Sequence, residues 1–177
     1  MEINQKIEAI DSILNLYKAD LGPYYEAYKN HVYRVYHLAI PFVSTAKDIQ
    51  TLSIASAFHD LGIWTAKTFD YIEPSVHLAK QYAIQNKLNL SQLTEIEACI
   101  RLHHQITKIK NSVLAEIFRT ADLVDLSSGL LKCGREKKYI KMLRNTFPNK
   151  KFHKFLSKLF FKNLVKNPFK PLPMYKW

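Results

Sequence analysis

Through most of the chain, apolar residues recur every three or four positions rather than every second one, the spacing of helices with one buried face. Ile3, Ile7, Ile10, Ile13 and Leu14 form such a stripe and predict a first helix to about Leu21, where Gly22-Pro23 breaks it. A second helix is expected from about Tyr24 to Ala39, closed by Pro41. The segment AKDIQTLSIASAFHDLG predicts a third, with Asp48 near its start and Gly62 as its stop. Pro74-Ser75 opens a fourth that runs to about Asn86. Asn89 or Ser91 caps a fifth through about Gln105, and Asn111 or Ser112 caps a sixth through about Leu130. From about Glu136 the chain reads as one or two further helices and an irregular end. With 177 residues, no internal repeat and no low-complexity linker, the pattern predicts an all-α fold built as a single-domain helical bundle.

Several polar residues occupy positions where the stripes call for apolar ones. His31 follows Tyr28 by three and precedes Val35 by four; His59 follows Ala55 by four and Leu52 by seven, with Asp60 beside it at the helix end. His77 falls in the first turn of the fourth helix, His103 and His104 close the fifth beyond Ile96 and Ile100, and Asp122 follows Phe118 by four in the sixth. A hydrogen bond to a backbone carbonyl in the core explains any one of these histidines. Asp122 asks for more, because a carboxylate inside a buried stripe needs a cation or several donors. A salt bridge to Arg119, Arg34 or Arg101 is one answer, and a bound metal is the other. As a set, imidazoles and carboxylates are the preferred ligands of divalent first-row metals, and helical bundles gather them from facing helices. His59 and Asp60 diverge by only ~100° at a helix end, so both reach one site and the carboxylate is free to bridge two ions.

In this order these residues resemble the signature of the HD-domain superfamily of metal-dependent phosphohydrolases: a His, a His-Asp doublet and a distant Asp, each on its own helix. Here they are His31 in NHVYRV, His59 and Asp60 in FHDLG, and Asp122 in RTADLVD, so the resemblance covers residues 24–131. Dinuclear members add a His after the doublet and a His or His-His before the last Asp, and His77 and His103-His104 match that order. The stretches HDLGIWT, FDYIEPS and NPFKPLPMYKW look like those of small stand-alone members. The resemblance implies one or two divalent ions, from among Mn, Fe, Mg, Ni, Co and Zn. His31, His59, Asp60 and Asp122 would hold the first, with Asp60 bridging, and His77 with His103 or His104 the second. It implies hydrolysis of a phosphoester by a metal-activated water, on a nucleotide or another small phosphorylated metabolite. The Gly-Tyr-Pro motif of members that open cyclic dinucleotides is missing from HHQITKIKNSV. A diiron oxygenase acting on a small organic substrate shares the ligand set, and hydration of a small nitrile-like substrate is a third chemistry. Arg34, one turn after His31, is the expected phosphate contact. Lys67 and Asp70, in the loop after the doublet, are expected to contact substrate or assist a proton transfer. A salt-bridged arginine and a polar loop account for these three equally well.

The net charge of +11 changes the picture only at one end. From Lys132 onward fourteen Lys and Arg face Glu136 alone, giving +13, whereas residues 1–131 carry −2. The chain therefore divides into a near-neutral body, 1–131, which carries the metal-site residues, and a basic segment, 132–177, expected to pack on the same domain. Lys151, Lys154, Lys158, Lys162 and Lys166 recur opposite Phe152, Phe155, Leu156, Leu159 and Phe160. Such a helix either lays its aromatic face on the body or lies on nucleic acid or an anionic membrane surface. Cys99 and Cys133 form no CxxC pair and are read as buried thiols. No apolar run of 18 residues occurs and the start lacks the order of a secretory signal, so a soluble cytoplasmic protein is expected.

Overall fold

The computed structural model describes residues 3–169 and 171–174; the parts of the two terminal segments at residues 1–2, 170 and 175–177 lie outside the described residues. Helix α3 (Tyr25–Ala39) forms the axis, because every one of its residues except Glu26 and Lys29 is buried. A helix buried on nearly all sides must be covered all round, and its Asn30, His31, Arg34 and His37 find their hydrogen-bond partners inside. Helices α4 (Ala46–Phe58) and α8 (Val113–Leu126) pack along it, and α9 (Lys137–Thr146) and α10 (Phe152–Lys166) close over it. Helix α7 (Leu90–Leu102) packs on α4, on α6 (Ile72–Gln85) and on α8. No strand occurs among the described residues, and the fold is the all-helical single domain that the periodicity predicts. None of the described helices is long and apolar enough to cross a membrane.

Differences from the expected elements have local causes. The first helix begins later, at Glu8, and is split into α1 (Glu8–Leu16) and α2 (Lys18–Leu21) by Tyr17, whose backbone leaves the helical region at φ −108°, ψ 17°. Tyr17 instead packs edge-on against Phe58 at 6.0 Å. Asn89 caps α7, its side chain accepting from the Gln92 N–H, and Ser112 caps α8 by accepting from the Ala115 N–H, so the caps are not Ser91 and Asn111. Helix α6 starts at Ile72 and tolerates Pro74 in its first turn, where no intrahelical N–H is required. Gly62 does not stop a helix but opens the short α5 (Gly62–Thr65). A Cβ at this position would stand 2.5 Å from the Tyr71 carbonyl, and the Gly62 N–H donates to Ser75 Oγ at 2.9 Å. The glycine lets the turn after the doublet lie flat against α6.

The apolar side of α10 packs on the body. Phe152 is fully buried, and Phe155 stacks on Trp64 with centroids 5.3 Å apart and lies against Tyr24. Lys154, Lys158, Lys162 and Lys166 stay exposed, as do Phe161 and Val165. Cys99 is buried, which pushes its thiol pKa up, but Cys133 is exposed in the loop after α8, contrary to expectation.

Candidate metal centre

His31 and Asp122 face each other from α3 and α8, the doublet lies in the turn from α4 into α5, and His103 caps the end of α7. The four helices therefore deliver their polar residues to one buried point. His31 Nε2 lies 3.0 Å from His59 Nε2, 3.6 Å from Asp60 Oδ2 and 3.5 Å from Asp122 Oδ1. His59 Nε2 lies 3.5 Å from Asp60 Oδ2 and 3.8 Å from Asp122 Oδ1. On the other side of Asp60, its Oδ1 lies 3.4 Å from His103 Nε2. Asp60 thus belongs to two donor groups at once, one with His31 and His59 and one with His103 and His104.

The protonation pattern follows from the bonds on the far side of each ring. His31 Nδ1–H donates to Asp125 Oδ2 at 2.8 Å, His59 Nδ1–H to the Ser56 carbonyl at 2.8 Å, and His103 Nδ1–H to the Ile100 carbonyl at 2.7 Å. A neutral imidazole has one N–H, so all three rings turn an Nε2 lone pair inward. Two lone pairs 3.0 Å apart repel unless a cation lies between them. A proton can serve there: burial disfavours the His31 imidazolium, but Asp125, Asp60 and Asp122 outweigh it and hold the pKa up to about 9. Burial, against a weaker pull from Asp60, takes His59 down to about 3.

One proton does not satisfy the cluster. Asp60 Oδ1, His103 Nε2 and Asp122 Oδ1 are buried without a hydrogen-bond partner among the described residues, a costly state for three groups. The salt-bridge answer for Asp122 is also removed. Arg34 is bound to both oxygens of Asp125, Arg119 to both oxygens of Glu116, and Arg101 to Glu73 and Glu97. Burial raises the Asp122 pKa, whereas the neighbouring imidazoles hold Asp60 ionised despite its burial.

The donor set fits a divalent ion. Ligands at right angles on an ion with bonds of ~2.1 Å stand ~3.0 Å apart, and at the tetrahedral angle ~3.4 Å; the His31–His59 and Asp60–His103 separations of 3.0 and 3.4 Å match these values, and the other four, at 3.5–3.8 Å, need the donors to close in by a few tenths of an ångström. Three neutral imidazoles with two carboxylates are the chemistry of Mn, Fe, Co, Ni or Zn sites. Aromatic rings seal the surroundings: Phe152 stacks on His31 at 4.3 Å, and Phe118 stands edge-on to His59 and His103.

Not every expected residue joins the cluster. His77 is exposed on α6 and belongs to neither donor group, because the first turn of α6 presents Ser75 and Val76 to the interior instead. Arg34 is buried, bound to Asp125 and to the Phe147 carbonyl, and is not among the residues lining the cavity beside the cluster. Lys67 and Asp70 are exposed in the turn after α5 and line other clefts than the one reaching the cluster. His104 is half-buried, with Nε2 2.6 Å from the Tyr71 hydroxyl. Asp125 is the residue that sequence reasoning passed over. Its signal is present in RTADLVD, where a second carboxylate follows Asp122 by one turn on the buried face of α8.

A cavity of about 220 Å³ leads to the cluster. His103, His104 and Asp122 line it together with Arg119, Leu123 and Leu126. Searches of protein-family models, curated proteins and solved structures returned no match to this chain.

Proposed function

We propose that the protein is a metal-dependent phosphohydrolase of the HD-domain type, acting on a small phosphorylated substrate. The observation that carries this reading is the convergence of three inward Nε2 atoms and two carboxylates on one buried point, with Asp60 shared between two donor groups. His31, His59, Asp60 and Asp122 would hold one ion, and Asp60 with His103 a second. His104, engaged with Tyr71, stands beside the second position. Divalent ions so held would supply an acidified water at neutral pH and positive charge for a phosphoryl group.

The chain's own residues do the rest. Asp125, Ser56 and Ile100 fix the tautomers and orient the rings. Phe152 and Phe118 keep bulk water from the donors. Arg119, rather than Arg34, would meet an incoming phosphoryl oxygen, since it walls the access cavity with its charge shared with Glu116. A cavity of about 220 Å³ favours a compact ester over a dinucleotide.

The test is a screen of phosphoesters with manganese-loaded protein, alongside dioxygen uptake by the iron-loaded form on small organic substrates. Phosphate release that is lost in Asp60→Ala supports the reading. Dioxygen consumption without phosphate release points to the oxygenase.

A further inference from the structure

A cleft of about 470 Å³ lies between α10 and the turn that joins α5 to α6, and it shares no lining residue with the metal cluster or its access cavity. Its size is that of a small-molecule site. Lys67 lines it from the turn, Lys162 and Lys166 from α10, and the carboxylate on its wall is Asp20 of α2. None of the three lysines makes an ion pair among the described residues. The described residues of the wall therefore carry an excess of two positive charges, and a phosphate monoester carries about −1.5 to −2 at neutral pH.

The rest of the described lining is mainly apolar, with Thr68 and Asn163 as its polar members. Trp64 and Phe155 stack 15° from parallel and both face the cleft, joined by Ile63 and Leu159. Trp64 is 7% exposed, and its Nε1–H has no hydrogen-bond partner among the described residues. Lys67 sits at φ 52°, a left-handed conformation that glycine adopts without strain and lysine does not. Lys87, Lys150 and Lys151 adopt the same conformation, so the strain marks where a glycine would relieve the backbone and not a use for the charge.

We infer that this cleft is a second ligand site, for an organic phosphate or phosphonate dianion attached to a flat apolar body. Lys67, Lys162 and Lys166 hold the dianion, and Trp64 and Phe155 take the body. Binding there is independent of the metal cluster.

The experiment is calorimetric titration of the full chain with benzylphosphonate in the presence of chelator, so that binding through metal is switched off. The expected result is saturable binding with a Kd at or below about 1 mM, weakening as salt is raised. Inorganic phosphate and benzyl alcohol each bind about tenfold or more weakly, because each meets half the site. Lys162→Glu lowers the affinity about tenfold or more, whereas Lys154→Glu, on the outward side of α10, leaves it unchanged. Lys67→Gly keeps or raises the melting temperature while weakening binding, since it relieves the backbone and removes the amine. The proposal is overturned if benzylphosphonate does not bind, if Lys162→Glu and Lys67→Gly bind it normally, or if Lys154→Glu is as impaired as Lys162→Glu. The last result would mean diffuse attraction to a basic helix. None of these outcomes depends on whether the metal cluster is catalytic.

Discussion

His31 Nδ1 and Arg34 share one carboxylate, and this explains how a buried charge and a buried imidazole coexist in α3. Asp125 neutralises the guanidinium and at the same time fixes the ring that faces Asp60 and Asp122. Burial works against its charge, but His31 and Arg34 hold its pKa well below the ordinary carboxylate value, so it remains an acceptor throughout the working pH range. Asp125→Asn is therefore expected to weaken metal binding about 10–100-fold and to destabilise the metal-free protein by roughly 3 kcal/mol. Competition with a chromophoric chelator measures the first effect and urea unfolding the second. Normal affinity in this variant would remove Asp125 from the account. At this scale the sequence marks His31, His59, His103 and Asp122 because each falls on an apolar stripe, and Asp60 because it adjoins His59 at a helix end. It does not reveal that Arg34 pairs with Asp125, since that depends on the rotation of α8 against α3, which an apolar stripe does not fix.

At the scale of elements, the turn between α4 and α5 determines whether the doublet can serve one site. His59 keeps helical dihedrals and Asp60 follows in the turn, so the two side chains end 3.5 Å apart while Gly62 presses against α6. Gly62→Ala is expected to destabilise the fold by about 1–3 kcal/mol, because the Tyr71 carbonyl is backbone and cannot yield as a side chain would. A thermal melt checks this, and an unchanged midpoint would show that the close approach is not needed. The order and type of helices were readable from period and caps. The break at Tyr17 was not, because it is set by a contact with Phe58 forty-one residues away rather than by any local breaker. The reading of Gly62 as a stop failed for a related reason: glycine serves close packing as well as left-handed turns, and only a neighbouring helix distinguishes the two.

Across the whole molecule, charge and metal are linked through His31. Its folded pKa of about 9 lies above the ordinary 6.5, so in metal-free protein its contribution to stability is full below pH 6.5 and is lost as the pH rises to about 9. A divalent ion needs the same nitrogen deprotonated, so its affinity rises over that window. The increase in melting temperature on adding manganese is therefore expected to be larger at pH 8 than at pH 6.5, with protons released on binding. A shift that shrinks with rising pH would contradict this linkage. The separation of a −2 body from a +13 end is visible in composition. Composition does not show that α10 lays Phe152 on His31 and Phe155 on Trp64, making the basic segment part of the covering of the core.

The central claim is that the converging imidazoles and carboxylates bind divalent metal, and the most direct test is elemental analysis of protein purified without chelator. Wild-type protein is expected to hold one to two equivalents of a first-row divalent metal, Asp60→Ala close to none, and Lys158→Ala the same as wild type. Wild-type protein that holds none and takes up none from excess manganese, or Asp60→Ala that keeps its full complement, would contradict the account.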